Sequence, residues 1–507
     1  MRSVPKPFAL LAGPAGLSAA SPASTAIDWA RGSVTLLLGG AAIAIVAVRP
    51  AHAVPAFAGQ TGQPCVFCHI GAFGPQLTPA GRAFKIGGYT QTGGEGLASQ
   101  IPLAVYFQES FTSLGKGYPS DDIPHRYASN NNFNIDQASI FLATNIGEHT
   151  GIFSQWTATD NFSAFAMDNT DFRPYTTEFE VNDTTLRVGI SVNNNPTLQD
   201  PYNSSFAWGY PFIGPSPTLQ PGPAADVALS SGFNQNSIGA TVYAWYDRSV
   251  YVDAGIYTSQ SNWLLSRLGN SYGVGGIQGV APYARAAYEW NWNEGSETAQ
   301  SAHVGVIFMD ANVNPIDPNA ANDNPGVTGI YGRDHYTDLT FDGGYQFLGD
   351  GTHIGTVLAN YTHEWQGLTG SANIANAANA AAGTPTNYGN SYELDKVQLA
   401  ASYWYRNTYG LTLAWQGIWG KKNPVLYVPE SVNGSNNNAP NTSTFIVEAD
   451  WVPFGKEDSW ARPFANLKIG LQYYANTQFN GGNSNYDGYG RSAGNNNTIY
   501  LFAWQVF

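Results

Sequence analysis

The sequence predicts an all-β protein, a transmembrane antiparallel β-barrel, on three observations. Charged residues make up 11% of the 507 residues and aromatic residues 14%, whereas a typical soluble domain is about 25% charged. After Val48, no stretch of the sequence is apolar enough to form a membrane-spanning helix. Runs in which apolar and polar residues alternate recur along the chain, joined by polar turns. This composition and pattern are typical of strands that face lipid on one side.

The clearest alternation lies in residues 283–293, "YARAAYEWNWN". One face carries apolar and aromatic side chains: Ala284, Ala286, Tyr288, Trp290 and Trp292. The opposite face carries Arg285, Glu289 and Asn291. A polar turn at 294–297 follows and residues 302–309 alternate again, so the two runs predict a hairpin. With the apolar face toward lipid, Arg285 and Glu289 lie inside the barrel. The second run likewise places His303 and Met309 on the lumen face.

Three further hairpins follow the same pattern. They cover residues 138–158, 339–365 and 397–420, with turns expected at 147–148, 349–351 and 407–410. In the last hairpin we expect two sets of side chains: Leu399, Ala401, Tyr403 and Tyr405 toward lipid, and Gln398, Ser402 and Arg406 toward the lumen.

A soluble β-sandwich or propeller would alternate as well. Runs of about ten residues, aromatic strand ends and the terminal Phe507 favour the barrel instead. The last strand, "TIYLFAWQVF", resembles the assembly signal of bacterial outer-membrane barrels, although Gln505 stands where an apolar residue is common.

Four stretches rich in Asn, Gly and Pro interrupt the alternating runs, at 193–236, 312–330, 370–390 and 430–444. They are too long for ordinary turns and fit the long extracellular loops of a barrel. Within the third stretch, residues 372–383 could form a short helix, but we expect a flexible loop.

An export signal is expected at the N-terminus. Val34 to Val48 is an uncharged apolar run, with Arg31 before it and Ala51-His52-Ala53 after it. This order of basic flank, apolar region and small-residue site predicts a secretory signal cleaved after Ala53. The run is shorter than the roughly 20 residues of a membrane-spanning helix. Because the leader is long, the true start could lie downstream of Met1, for example at Val34.

The whole chain carries a formal charge of −14 and its leader is net basic, so the exported protein is more acidic still. Such a surface repels nucleic acid and attracts metal cations or basic proteins. We therefore expect no nucleic-acid partner.

Cys65 and Cys68 are the two cysteines of the chain and lie in "QPCVFCH", followed directly by His69. Two thiols one helical turn apart, with an adjacent His, suit covalent attachment of one haem c, and export leads to the compartment where attachment occurs. The alternatives are a disulfide, a thioredoxin-like redox pair or half of a zinc site. A zinc site needs more Cys or His nearby, and no βαβ pattern surrounds the motif.

Residues 55–89 resemble the cytochrome segment of the outer-membrane cytochrome–porin fusion family, which includes ferrous iron oxidases. Residues 447–456 and 485–507 also resemble that family, while the middle of the chain matches in pattern only. The resemblance implies a haem c domain at 54–100 and a barrel of about 16 strands at 101–507, with the haem domain inside or plugging the lumen. It also implies that Cys65 and Cys68 hold the haem and that His69 is the proximal iron ligand.

The residues after the motif suggest further haem contacts. Thr78-Pro79 predicts a helix start. In the helix, Phe84 could pack against the porphyrin. Arg82 and Lys85 could pair with haem propionates, which are costly to bury alone, or could be solvated surface charges.

The sixth iron ligand is not evident from this segment. From residue 54 to residue 100 there is no Met, and His69 is the one His. A protein ligand therefore has to come from elsewhere, or the position is exchangeable. The favoured candidates are His125, Met309 and His303, and the others are Met167, His149, His335, His353 and His363.

The resemblance implies a bacterial outer-membrane protein that takes one electron from extracellular Fe(II) and passes it to a periplasmic cytochrome or copper protein. Oxygen ligands suit hard cations, so the acidic stretch 167–183 could contribute to iron binding or could be a solvated loop and strand. Two alternatives stay open: the same conduit with another donor or direction, and a transport porin with a structural or sensory haem.

Overall fold

The computed structural model describes residues 55–272, 275–315 and 330–507. The expected signal peptide, with its cleavage site after Ala53, lies outside the described residues. Sixteen long strands and one short strand (β8) form the described sheet: β1 Leu103–Leu114, β2 Asn132–Gly147, β3 Thr150–Thr159, β4 Ala164–Val181, β5 Thr184–Asn193, β6 Ser237–Tyr246, β7 Val250–Ser259, β8 Gly276–Ile277, β9 Ala281–Trp292, β10 Gln300–Asn314, β11 Asp334–Phe347, β12 His353–Leu368, β13 Ser391–Tyr405, β14 Tyr409–Gly420, β15 Thr442–Trp451, β16 Asn466–Gln478 and β17 Thr498–Val506.

The helices belong to the N-terminal segment and to the connections between strands. The α-helices are α1 Ala56–Thr61, α2 Cys65–Cys68, α3 Pro79–Ile86, α4 Asn262–Arg267 and α5 Thr369–Ala381. Single 3₁₀ turns occur at Ile70–Ala72, Leu97–Gln100, Ser120–Asp122 and Ala493–Asn496, and a π turn at Ala228–Gly232. Among the described residues, no helix is long and apolar enough to cross a membrane.

The sheet closes on itself. Each long strand pairs antiparallel with the next, and β17 pairs with β1, where Tyr106 lies opposite Val506. A closed sheet leaves no unpaired edge, which is the condition for strands to span a bilayer. The predicted barrel of about 16 strands is confirmed.

The side chains alternate across the wall as expected. In β9, Tyr288 and Trp290 are exposed on the outside, while Arg285 and Glu289 are 2% exposed and lie inside. His303 and Met309 of β10 also face the lumen. An apolar outer face over a polar interior is the arrangement of a barrel in lipid. The protein is therefore a bacterial outer-membrane barrel.

The four predicted hairpins are all present, with two local corrections. Arg406 does not face the lumen, because it lies in the turn between β13 and β14 with φ of 52° and its guanidinium lies over the ring of Tyr405. Residues 369–381 form α5 rather than a flexible loop. The alanines of this stretch favour a helix, and Ser371 near its start donates to Asp334 of the barrel wall.

The two ends of the barrel differ. At one end, here called the short-turn end, strands are joined by brief turns such as residues 148–149, 182–183 and 247–249. At the other, the long-loop end, the connections include residues 194–236 and 369–390. In outer-membrane barrels the short turns face the periplasm and the long loops face outward.

The loop between β5 and β6, residues 194–236, folds into the barrel and is called the lumen loop. Its Asp200 lies 2.9 Å from Arg285, which also bonds Asp342 at 2.8 Å. Farther along the loop, the backbone N–H of Leu229 donates to Asp338 at 3.0 Å. Charged side chains of the wall thus hold the loop across the lumen.

The N-terminal segment, residues 55–100, also lies in the lumen, toward the short-turn end. Arg82 bonds Glu289 of β9, and Tyr89 donates to Asp171 of β4 at 2.8 Å. On the other side, the Gly71 N–H donates to the Asn407 side chain at 2.9 Å. These bonds join the segment to separate parts of the inner wall of the barrel.

Candidate functional site

The motif Cys65–His69 is built as one helical turn followed by extended chain. Pro64 precedes α2 in an extended conformation, and the His69 N–H donates to the Cys65 carbonyl at 2.8 Å. Residues three apart in a helix are neighbours on one face, so Cys65 and Cys68 are presented together. Both are free thiols.

A small loop fixes His69. The Ile70 N–H donates to the backbone carbonyl of Gln76 at 3.0 Å, and the Thr78 N–H donates to the backbone carbonyl of Cys68 at 3.0 Å. The chain therefore turns back alongside the motif. Gly74 packs on the imidazole, since a Cβ at this position would lie 3.3 Å from the ring carbon Cε1. The predicted helix start is confirmed: Thr78 caps α3 by accepting from Gly81, and Pro79 is its first residue.

The environment makes the imidazole and both thiols neutral. Burial lowers the pKa of His69 to about 4, although the nearby backbone of Gln76 partly offsets this, and within the described parts of the chain Nδ1 has no hydrogen-bond partner. Burial raises the pKa of Cys65 and raises that of Cys68 to about 11. Neutral imidazole is the form that binds metals.

The motif lines a cavity of about 490 Å³ inside the barrel. Ligand pockets of proteins range from about 300 to 1,000 Å³. Three parts of the chain enclose this space. The N-terminal segment contributes Phe57, Cys65, Cys68, His69, Phe84 and Lys85; the wall contributes Tyr106, Phe141, Phe153 and Trp504; the lumen loop contributes Phe206, Trp208 and Phe212.

Aromatic rings dominate these walls. Phe57 contacts Phe84 edge-on at 4.8 Å and stacks on Tyr89 at 5.2 Å. Phe153 of the wall packs near Phe57, with 6.4 Å between ring centroids, and contacts Trp208 of the lumen loop edge-on at 5.7 Å. The rings of Trp504 and Tyr106 also contact edge-on, with 5.7 Å between their centroids. The result is an apolar chamber that suits a flat aromatic group.

Arg82 does not face this chamber. Its five N–H groups are all used within the protein: Nε and Nη2 donate to Glu289, Nη2 also to Ser301, and Nη1 to Leu77 and Gln346. The pairing of Arg82 with a propionate, expected from the sequence, is therefore not available in this structure. The side chain instead fastens α3 to the barrel wall.

Lys85 lines the cavity. Its ammonium donates to the Asp200 carbonyl at 2.6 Å and to the Asn203 side chain at 2.7 Å. Burial lowers the pKa of Lys85 to about 7, against the opposing charge of Asp200. Lys85 is thus the basic side chain that faces the chamber among the described residues.

The eight candidates for the sixth ligand lie away from the cavity. His303 stacks on Tyr202 with 4.0 Å between ring centroids and lies 3.3 Å from the Ser204 hydroxyl. Met309 is buried in an apolar cluster with residues such as Tyr257 and Ile307. His125 is exposed in the loop between β1 and β2 and does not line the cavity. The other four histidines are hydrogen-bonded elsewhere: His149 to Thr176, His335 to Asp310, His353 to Tyr403 and His363 to Asp395. Met167 lies on β4 and does not line the cavity.

The acidic stretch 167–183 forms most of β4 and the turn after it, and its residues 178–183 are exposed. Asp171 is buried against Arg173 at 2.8 Å. Asp168 and Asn169 are the residues of this stretch that border the cavity. The sequence pattern did not single out Asp168, because an irregularity in the pairing of β4 decides its direction.

No protein-family model and no curated protein matches this chain. Solved structures of outer-membrane proteins are similar in fold. In-vitro folded OmpT, an outer membrane protein of Vibrio cholerae, is 10% identical with a TM-score of 0.37, over 80% of this chain and 97% of that one. The outer membrane channel DcaP of Acinetobacter baumannii is 12% identical with a TM-score of 0.41, over 80% and 96% of the two chains. The anion-selective porin from Comamonas acidovorans is 12% identical with a TM-score of 0.40, over 80% and 98%.

Proposed function

We propose that this barrel is an electron conduit across the outer membrane. It holds one haem c in its lumen, accepts one electron at a time from extracellular Fe(II) and passes it to a periplasmic cytochrome or copper protein. One observation carries the proposal: Cys65, Cys68 and His69 line a cavity inside a membrane-spanning barrel.

The side chains of the cavity fit a covalent haem better than the alternatives. A zinc site needs about four Cys, His or carboxylate ligands, and among the described residues no group of three or more such side chains is placed to hold a metal ion. Neutral thiols one turn apart suit thioether bonds, and His69 offers a neutral imidazole beside them. Phe84 and Lys85 also line the space and support contacts to the porphyrin and to a propionate.

A haem bound in this position supplies one-electron redox chemistry: each extracellular Fe(II) becomes Fe(III), and its electron reduces one periplasmic carrier. The chain itself does three things. It orients the imidazole through the 69–78 loop, excludes water with aromatic side chains, and surrounds the site with a closed sheet. A bilayer core about 30 Å thick is a barrier to electrons, and a redox group in the lumen divides that distance.

The filling of the lumen favours a conduit over a transport porin. The N-terminal segment reaches across the barrel, from Glu289 of β9 to Asn466 of β16, whose side chain donates to the Ala72 carbonyl at 2.6 Å. The lumen loop lies over the cavity on the long-loop side, held by Arg285 and Asp338. Both elements block the path that a diffusing solute would take.

Purified full-length protein tests the proposal in two steps. Haem that stays with the polypeptide on a denaturing gel establishes covalent attachment. Stopped-flow mixing of the oxidised protein with Fe(II) should then give the spectrum of reduced haem. Absence of covalent haem would overturn the proposal. A haem that another reductant reduces but Fe(II) does not would overturn Fe(II) as the donor.

A further inference from the structure

We propose that the short-turn end of the barrel carries the docking face for the periplasmic electron carrier, and that this carrier presents a basic surface around its redox centre. The face consists of an apolar patch formed by Phe67, Trp460 and Phe464, with carboxylates around it on the neighbouring turns. This inference rests on the proposed function, and it specifies the surface and the charge of the partner that accepts the electron.

The Cys65–His69 motif is bonded to the short-turn end through the turn between β15 and β16, residues 452–465. The Val66 N–H donates to the Gly455 carbonyl of this turn at 3.1 Å. The Arg462 guanidinium donates to the Gly62 carbonyl, which precedes the motif in the chain. The 452–465 turn therefore lies beside the helical turn that carries the two cysteines.

Phe67 is the exposed side chain of this motif. Cys65 and Cys68 line the cavity, whereas Phe67, between them, does not line it and is 43% exposed. Because the segment that carries Phe67 lies in the lumen and is bonded to the 452–465 turn, its ring faces the opening of the barrel at the short-turn end. A partner that contacts Phe67 touches the chain between the two residues that would hold the haem, so the distance for electron transfer is short.

Two further aromatic side chains on the 452–465 turn extend the apolar surface. Trp460 is 74% exposed and Phe464 is 44% exposed. Trp460 also contacts the ring of Phe454, the residue before Gly455, with 5.2 Å between ring centroids. The exposed rings thus belong to the part of the turn that bonds the motif. Exposed aromatic side chains grouped in this way are typical of protein–protein contact sites.

The turns at the short-turn end are acidic on balance. The 452–465 turn carries Glu457 and Asp458, both exposed, and other turns add Asp183, Asp247, Glu294, Glu297 and Asp350. The basic side chains of these turns are Arg248, Arg406, Lys456 and Arg462, of which the last two donate to Thr408 and Gly62. In the described connections of the long-loop end, acidic and basic side chains are equal in number. The negative charge of the connections is therefore concentrated at the short-turn end.

An apolar patch surrounded by carboxylates suits a small electron carrier with the opposite charge. Complementary charge steers the two proteins together and raises the association rate. The aromatic centre supplies contact energy and excludes water from the interface. Since the barrel presents acids, the carrier has to present bases around the exposed edge of its redox centre. The docked carrier gains one electron, and the haem returns to its ferric state.

Binding of oxidised mitochondrial cytochrome c, a small basic carrier, to the full-length haem-loaded barrel in detergent tests this face. Biolayer interferometry gives the association and dissociation rates. The double variant Glu457→Lys, Asp458→Lys should lower the association rate about tenfold at low salt. Trp460→Ala should raise the dissociation rate about tenfold. Cytochrome c whose lysines have been succinylated, which reverses their charge, should not bind.

Matched control variants lie at the long-loop end. Asp121 and Glu430 are exposed carboxylates of its connections, and Trp263 is 67% exposed between β7 and β8. The double variant Asp121→Lys, Glu430→Lys and the single variant Trp263→Ala should bind cytochrome c at the rates of the wild type. Equal effects at the two ends would overturn the inference, because the charge and the aromatic rings would then act without regard to place.

No binding by the wild type, equal binding of native and succinylated cytochrome c, or unchanged rates in either short-turn variant would also overturn the inference. If Trp460→Ala does not assemble, the double variant decides alone, since both of its side chains are exposed. Failure of the inference is distinct from failure of the proposed function. A protein that carries covalent haem and is reduced by Fe(II), but binds cytochrome c equally in all variants, retains the proposed function.

Discussion

The guanidinium of Arg82 lies 2.7 Å from the carboxylate of Glu289, and both side chains are buried. The two residues are 207 positions apart in the chain. One belongs to the helix that follows the Cys65–His69 motif and the other to strand β9 of the wall. This ion pair therefore ties the segment that carries the candidate haem site to the barrel that crosses the membrane.

Breaking the Arg82–Glu289 pair should destabilise the protein strongly. Arg82→Met leaves the Glu289 carboxylate buried without a counter-charge, which costs about 3–5 kcal/mol. The free energy of unfolding, from denaturant titration followed by Trp fluorescence, measures the effect. Lys421→Met is the control, because Lys421 and Glu393 form an exposed pair at 3.1 Å whose loss costs at most about 1 kcal/mol. Similar losses for both variants would contradict the assignment.

Replacing both Cys65 and Cys68 by Ala should remove the covalent haem while the barrel still assembles. The strand pairing and the closure of β17 on β1 do not involve either thiol. Haem staining of a denaturing gel checks the first part, and the shift in gel mobility between unheated and heated samples checks the second. Covalent haem retained by the double variant, or a variant degraded in cells, would contradict one half of the prediction.

The intact protein should conduct ions poorly. The N-terminal segment crosses the lumen and is bonded to β4, β9 and β16. Deletion of residues 54–100 should increase the single-channel conductance in a planar bilayer several-fold, even though the lumen loop remains. Large, steady conductance from the full-length protein would favour the transport-porin alternative.

Lys85 should make stability depend on pH. Its pKa is lowered from 10.5 to about 7 by burial, so between these values the unfolded chain binds more protons than the folded one. Stability therefore rises with pH from about 7 to 10.5, and below about 7 this group adds no further slope because both states are protonated. Lys85→Met removes this dependence of stability on pH. The free energy of unfolding of the variant, relative to that of the haem-free wild type, should therefore increase as the pH falls from 10 to 7.

The matched measurement uses haem-loaded protein. A propionate beside the Lys85 ammonium would restore the charged form and flatten the slope of the wild type in that range. Equal slopes in haem-free and haem-loaded protein would contradict the propionate contact. An absence of slope in haem-free protein would contradict the effect of burial on Lys85.

The barrel was predictable from sequence because alternation is a local property. The period of two assigned Arg285 and Glu289 to the lumen, and it assigned His303 and Met309 to the same face. Alternation predicts whether a side chain faces the lumen or the lipid. It does not predict where around the barrel the strand of that residue lies. The cavity lies against β1–β4 and β17, whereas His303 and Met309 are on β10, on the far side of the lumen. For this reason the ranking of sixth-ligand candidates by face did not find residues at the site.

Three features of the site depend on long-range contacts and were missed. Trp208 reaches the cavity because charged residues of the wall hold the lumen loop, and no periodic pattern marks that loop. Asp168 faces inward because of a bulge in the β3–β4 pairing. Arg82 pairs with Glu289 of the wall rather than with a haem propionate. The motif at Cys65, Cys68 and His69, in contrast, needs only five consecutive residues, so the sequence identified the candidate site itself.

Electron transfer across a sealed membrane tests the central claim most directly. Lipid vesicles that carry the haem-loaded barrel and enclose oxidised cytochrome c receive Fe(II) on the outside, and absorbance reports reduction of the enclosed cytochrome. The account predicts that the enclosed cytochrome is reduced in these vesicles, and that it stays oxidised in vesicles with the Cys65→Ala, Cys68→Ala double variant. Reduction at equal rates with both proteins, or no reduction with the haem-loaded barrel, would contradict it.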